Sequence, residues 1–175
     1  HTTWATVILV IVVLLAVYRA PLLALVPLVT IAISVWVSLK MLALMTLIPG
    51  VHLVNISKIF AIVILYGAGT DYCLFLISRY RDELEDGLQL KDALAQSVSG
   101  VGEALAASAG TVMFGLGLMA FAEFAKVRYA GPAIALSLGV ALLASLTLTP
   151  ALLSMLGRIV FWPGKAPTAQ FRARL

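Results

Sequence analysis

The sequence predicts an all-α membrane protein, a bundle of five transmembrane helices plus one cytoplasmic amphipathic helix, and three observations carry that expectation. First, 62% of the 175 residues are hydrophobic and only 11% are charged, whereas soluble domains carry about 25% charged residues. Mean hydropathy is +1.08. Second, the apolar residues gather into five runs, most of them near the ~20 residues a helix needs to cross a bilayer. Third, one polar stretch, residues 79–103, interrupts the runs, and its later part repeats leucine and valine at helical spacing.

The first run covers residues 3–18 and begins almost at His1, which is not an initiator methionine, so the chain is expected to be part of a longer protein. A cleaved signal peptide fits poorly, because no basic segment precedes the run and Arg19-Ala20-Pro21 leads straight into another span. Pro21 opens the second span, residues 22–44, at a position where a missing N–H costs little. Pro27 inside it predicts a kink or a break, and Pro49-Gly50 closes the following loop. The third span, residues 56–78, continues through residues 79–87 into water and stops at Gly87.

Beyond it, Leu90, Leu94, Ser97, Val98 and Val101 share one helical face, with Lys91, Asp92, Gln96 and Ser99 on the others. That pattern predicts a separate amphipathic helix over residues 88–101 on the cytoplasmic surface, either a simple connector or a transmitter of movement. The fourth span covers residues 104–124. Gly131-Pro132 marks the start of the fifth, residues 130–154, and Pro150 is expected to bend or end it. Residues 1–162 thus form the transmembrane domain and residues 163–175 a cytoplasmic tail or linker.

Charge placement orients the bundle. Arg19, Arg79, Arg81, Lys91, Arg158, Lys165, Arg172 and Arg174 fall on one side, and Lys40, Lys58, Lys126 and Arg128 on the other. The positive-inside rule places the first group in the cytoplasm, with the N-terminus external and the C-terminus cytoplasmic. Trp4, Trp36, Tyr129 and Trp162 suit interfacial belts. The single cysteine, Cys73, excludes a disulfide framework and a multi-thiolate metal site. No cofactor or metal is expected. The net charge of +4 comes mostly from residues at span ends, without the basic block a nucleic-acid partner would need.

The third span carries the residue that stands out chemically. Asp71 lies in an apolar run, where an ionised carboxylate costs about 2.5–3.5 kcal/mol even on lenient insertion scales. Gly67 and Gly69 allow a neighbouring helix to come close, and Thr70 and Tyr72 place hydroxyls beside the acid. The combination points to a proton site between packed helices. A carboxylic acid satisfied by an interhelical hydrogen bond is the structural alternative, and packing is the alternative for Tyr72. Gly67, Asp71 and Phe75 share a face at one-turn spacing, with Phe75 either a hydrophobic plug on a proton path or a packing residue. Small residues form stripes, Ala104, Ser108, Thr111 and Gly115 on the fourth span and Ser137, Ala141 and Ser145 on the fifth. Close packing explains both stripes; alternatively, Ser108 or Thr111 lines a polar path to Asp71.

The segment Gly67-Ala68-Gly69-Thr70-Asp71-Tyr72-Cys73-Leu74-Phe75-Leu76-Ile77-Ser78-Arg79-Tyr80-Arg81-Asp82-Glu83 resembles the signature of the mycobacterial-membrane-protein-large (MMPL) family. That family is a branch of the resistance-nodulation-division (RND) superfamily of proton-driven exporters. The resemblance covers nearly the whole chain. It implies five of the helices in one half of such a transporter's membrane domain, with Asp71 and Tyr72 as the proton-relay pair and protons as the coupling ion. It further implies a cell (inner) membrane location, a second transmembrane half facing this one, an external porter domain, and export of lipids or other hydrophobic molecules. No substrate bond is broken in that reading, so no enzymatic activity is expected. Two other functions share the layout: a lipid-binding regulatory module like the sterol-sensing domains, and an accessory subunit of protein export. The buried acid favours transport, since a sensor needs no ion couple. With small-residue faces unpartnered, the isolated chain could form a homo-oligomer.

Overall fold

The structure is a computed structural model that describes residues 2–18, 21–49 and 55–161. The described residues form five long helices: α1 (Thr2–Tyr18), α2 (Pro21–Met45), α3 (Asn55–Glu85), α4 (Leu90–Leu118) and α5 (Ala125–Leu156). Short 3₁₀ turns at Met119–Phe121 and Gly157–Phe161 follow α4 and α5. Segments in four helices are long and apolar enough to cross a membrane: Leu22–Met45, Ser57–Glu85, Leu90–Phe121 and Val127–Leu156. Helix α1 contributes the shorter apolar segment Trp4–Val13. His52 and the tail expected at residues 163–175 lie outside the described residues.

The separate amphipathic helix does not form. Residues 90–118 are one continuous helix, because the stretch between residues 101 and 104, where the break was expected, holds helical backbone and contains no proline. The stretch expected to lie flat is therefore the opening of α4, with Ala93 and Ser97 buried and Leu90 and Leu94 packed on the core. Of the two outcomes expected at Pro27 and Pro150, neither proline ends its helix, since both sit within continuous helices; α5 starts at Ala125, so Gly131 and Pro132 lie inside it and do not mark its start. An interior proline removes one backbone bond, and neighbouring helices can hold both sides of the resulting bend.

The exit of α3 follows the expectation. Gly87 has φ 96, Gly87 N–H donates to the Leu84 carbonyl at 3.1 Å, and Leu88 N–H donates to the Glu83 carbonyl at 3.2 Å. This is the Schellman arrangement, in which the left-handed residue lets the chain reverse while satisfying carbonyls of the last turn. Leu84 and Leu88 meet in the same apolar cluster. Arg79 and Glu83 pair across one turn at 2.6 Å.

Helix α5 is central, packing against α2, α3 and α4, whereas α1 packs mainly on α2. Small residues at four-residue spacing make this possible: Ala133, Ser137, Ala141, Ser145 and Thr149 are all buried. Helix α2 answers with Thr30, Ser34 and Ser38 at the same spacing. Ser38 Oγ donates to Ser137 Oγ at 2.8 Å, and the Thr30 and Thr149 hydroxyls meet at 3.3 Å. The Cys73 thiol of α3 joins them, 3.2 Å from Thr149 Oγ1. In an apolar surround, hydrogen bonds and close van der Waals contact replace the hydrophobic term as the glue between helices.

Along its length the bundle has three apolar layers. One holds Leu42, Ala61 and Ala133; a middle one holds Tyr72, Leu105, Ala109 and Leu138; the largest includes Leu23, Ile77, Tyr80, Leu84, Ala93 and Leu153. Lys40, Lys58, Lys126 and Arg128 fall at the first end, and Arg79, Arg81, Lys91 and Arg158 at the last. The charge division read from the sequence is thus a division between the two ends of the bundle.

Candidate functional site

Two consecutive residues of α3 face different surroundings because a helix turns by about 100° per residue. Tyr72, 8% exposed, points inward and packs with Leu105, Ala109 and Leu138 in the middle layer. Asp71 points outward and is exposed. No hydrogen bond joins the two side chains, and among the described residues none bonds or pairs with the Asp71 carboxylate. The Tyr72 hydroxyl likewise has no hydrogen-bond partner there. Ser57 Oγ is the one fully buried side-chain oxygen left without a partner among the described residues, so the Tyr72 hydroxyl reaches the bundle surface.

Asp71 lies at one end of a cavity of about 290 Å³ between α1 and α3. Thr6, Leu9, Val10 and Val13 form one wall; Val63, Tyr66, Gly67, Thr70 and Asp71 form the other. Thr70 lines the cavity but spends its hydroxyl on the Tyr66 carbonyl at 2.5 Å, a common use for threonine inside a helix. The cavity is therefore apolar apart from the carboxylate at its end and the hydroxyls of Tyr66 and Thr6. Among the described residues, no lysine, arginine or histidine lines it.

The two glycines have separate roles. At Gly69 an added Cβ would come within 3.2 Å of Ile31 Cγ1, so this glycine admits α2 against α3. At Gly67 nothing lies within 4 Å, and the missing side chain opens the cavity wall instead. Gly67, Asp71 and Phe75 do share one face, and all three are exposed, Phe75 by 60%. Phe75 belongs to none of the apolar clusters of the described residues.

Ser108 and Thr111 are not brought to Asp71. Both are exposed on α4, Thr111 Oγ1 donates back to the Ala107 carbonyl at 3.0 Å, and neither lines the cavity. The stripe Ala104, Ser108, Thr111 and Gly115 faces outward; α4 packs through Ala93, Ser97, Leu105 and Ala109 instead. The stripe on α5 does pack, as expected. Sequence reasoning missed the wall supplied by α1 and the hydroxyl seam of Thr30, Ser34, Ser38 and Thr149. The seam had a readable signal in its four-residue spacing within apolar runs, whereas the uniformly apolar α1 offered none.

The model of the MMPL family matches residues 1–174. The chain belongs to the MMPL family. Among curated MMPL relatives, the sulfolipid-1 exporter MmpL8 of Mycobacterium tuberculosis is 38% identical over 155 residues, covering 89% of this chain and 14% of that protein. The apo-petrobactin exporter of Bacillus anthracis is 36% identical over 160 residues, covering 91% of this chain and 21% of its own length. A putative membrane protein of Streptomyces coelicolor is 36% identical over 170 residues, covering 97% and 20%. The chain thus spans a seventh to about a fifth of the length of these relatives. It is an MMPL-type multi-pass membrane segment.

Proposed function

We propose that this MMPL segment is the membrane half-domain of a proton-motive-force-driven exporter of lipids or other hydrophobic molecules, with Asp71 as the group that takes up and releases the proton. The observation that carries the reading is a carboxylate midway along a membrane-length helix, aimed out of its own bundle and bonded by none of the described residues. Left facing hydrocarbon, an ionised Asp71 is costly. A second helical unit facing α3 removes that cost when it supplies hydrogen bonds or water, and the exposed small residues Gly67, Ser108, Thr111 and Gly115 let such a unit come close. The unpartnered Tyr72 hydroxyl at the bundle surface is available to a carboxylate of that unit, which makes the dyad a relay across the interface. Two relatives support the reading: the sulfolipid-1 exporter favours a lipid cargo, and the apo-petrobactin exporter favours export as the activity.

The mechanism needs only a charge that changes. Protonated, Asp71 is tolerated in an apolar surround; ionised, it favours an arrangement that hydrates or pairs it. One elementary charge moved through about 100 mV releases roughly 2.3 kcal/mol, enough to shift a packing equilibrium whose states differ by a few kcal/mol. In this reading all five helices span the inner membrane, with the N-terminus external and the C-terminus cytoplasmic. An external porter domain would handle the cargo. The test is Asp71→Asn in a full-length transporter carrying this segment, assayed in proteoliposomes under an imposed pH gradient. Proton-coupled export should disappear while insertion and folding persist, because Asn is neutral and nearly isosteric. Export at the unsubstituted rate would overturn the assignment.

A further inference from the structure

We propose that Thr149 of α5 is a positioning residue for the proton site, tying the back of α3 to α2 through a directed chain of hydrogen bonds and so setting where Asp71 points. The direction of the chain follows from its protons. A threonine hydroxyl or a cysteine thiol donates once. Thr30 Oγ1 gives its proton to the Val26 carbonyl at 2.9 Å, so it accepts in its 3.3 Å contact with Thr149. Thr149 therefore donates to Thr30, and the Cys73 thiol, 3.2 Å away, donates to Thr149 Oγ1, with Ser145 Oγ farther off at 3.8 Å. The order is Cys73 of α3, Thr149 of α5, Thr30 of α2 and then the Val26 carbonyl. All three side chains are buried.

Thr149 is placed for this role in two ways. Ser34, Ser97, Ser137 and Thr147 each donate to the carbonyl four residues back in their own helix, whereas Thr149 reaches across to two other helices. It also stands where α5 is least tied to itself, because Pro150 has no N–H and leaves the Leu146 carbonyl without its partner in the helix. The link to Asp71 is angular. Residues 69 and 73 lie two positions to either side of Asp71, about 200° around the helix, and therefore on its opposite face. There Gly69 meets Ile31 of α2, where an added Cβ would have only 3.2 Å, and Cys73 meets Thr149. The back of α3 is thus held by close contact at one turn and by hydrogen bonds at the next, which leaves Asp71 directed out of the bundle. Without the Thr149 hydroxyl the second hold is lost. This rests on Asp71 carrying the proton, as in the relay reading, and adds the residue that aims it.

The experiment places a full-length transporter carrying this segment in proteoliposomes and follows proton entry with an entrapped pH dye over a range of external pH. Thr149→Val keeps the shape and removes the hydroxyl. It should lower Asp71-dependent proton entry severalfold and displace its pH profile, while the thermal midpoint stays within a few degrees of the native one. Thr149→Ser, which keeps the hydroxyl, should recover both rate and profile. Cys73→Ala breaks the same chain from α3 and should act in the same direction, so it carries the test should Thr149→Val not fold; added to Thr149→Val, it should lower proton entry no further. A native rate and profile in Thr149→Val would overturn the positioning role. Equal impairment in Thr149→Ser and Thr149→Val would also overturn it, by assigning the effect to packing. Additive losses in the double variant would mean two independent contacts and no chain. Asp71→Asn is read separately: native proton entry in that variant sinks the relay itself, whereas loss of entry there beside a native profile in Thr149→Val sinks only the role of Thr149.

Discussion

Asp71 and Tyr72 share a helix and divide its faces, and that division governs what each substitution does. The Tyr72 ring fills the middle layer against Leu105, Ala109 and Leu138, but its hydroxyl bonds nothing among the described residues. Tyr72→Phe should therefore leave the bundle as stable as before. In a full-length transporter it should lower proton-coupled export and shift its pH dependence, by the loss of one hydrogen bond of about 0.5–1.5 kcal/mol to the facing unit. An unchanged pH profile would confine Tyr72 to packing. Tyr72→Ala removes the ring as well, and large-to-small core changes of this size cost about 3–5 kcal/mol, so its thermal midpoint should fall well below that of Tyr72→Phe. Asp71 stood out in the sequence because a carboxylate interrupts an apolar run, where its alternative to a proton site is an interhelical hydrogen bond that the described bundle does not supply. Its direction was not legible, because apolar residues occur on every face of α3 and no polar stripe marks which face meets other helices.

At the scale of the helices, glycines of the same composition do opposite things. At Gly131 a Cβ would collide with the Leu116 carbonyl oxygen and come within 2.5 Å of Met119 Cβ, so the start of α5 reaches the end of α4 only because this side chain is missing. Gly131→Ala should destabilise the chain by about 1–3 kcal/mol through overpacking against backbone. Gly110 of α4 meets nothing within 4 Å, and Gly110→Ala should stabilise it by about 0.5–1 kcal/mol through helix propensity. Intrinsic tryptophan fluorescence during thermal unfolding in detergent would separate the two; equal midpoints would contradict the close approach at Gly131. Sequence spacing identified the α5 stripe correctly and misassigned the α4 stripe, since small residues at helical spacing permit close packing without saying against which helix. The five helices were legible from apolar length, but the break expected between an amphipathic segment and the fourth span was not real. Polarity changes along residues 90–118, while backbone compatibility with a helix does not.

For the whole molecule, the two charged ends of the bundle make its orientation a single binary measurement. Lys40, Lys58, Lys126 and Arg128 fall at the end marked by Leu42 and Ala133, and Arg79, Arg81, Lys91 and Arg158 at the end marked by Leu84 and Val160. The second end also collects the exit turn at Gly87 and the Arg79–Glu83 pair, a polar structure that needs water around it. Cytoplasmic loops carry an excess of lysine and arginine, so the Arg79 end is the one expected on that side. Because α2 and α3 connect the two ends, fixing one end fixes the other. Glu85→Cys and Lys126→Cys, each in a Cys73→Ala background to remove the one native thiol, provide the two probes. In intact cells treated with a membrane-impermeant maleimide, the cysteine at 126 should be labelled and the one at 85 should be labelled only after lysis. The reverse pattern would invert the bundle, and protons arriving from outside would then meet the Arg79 end first.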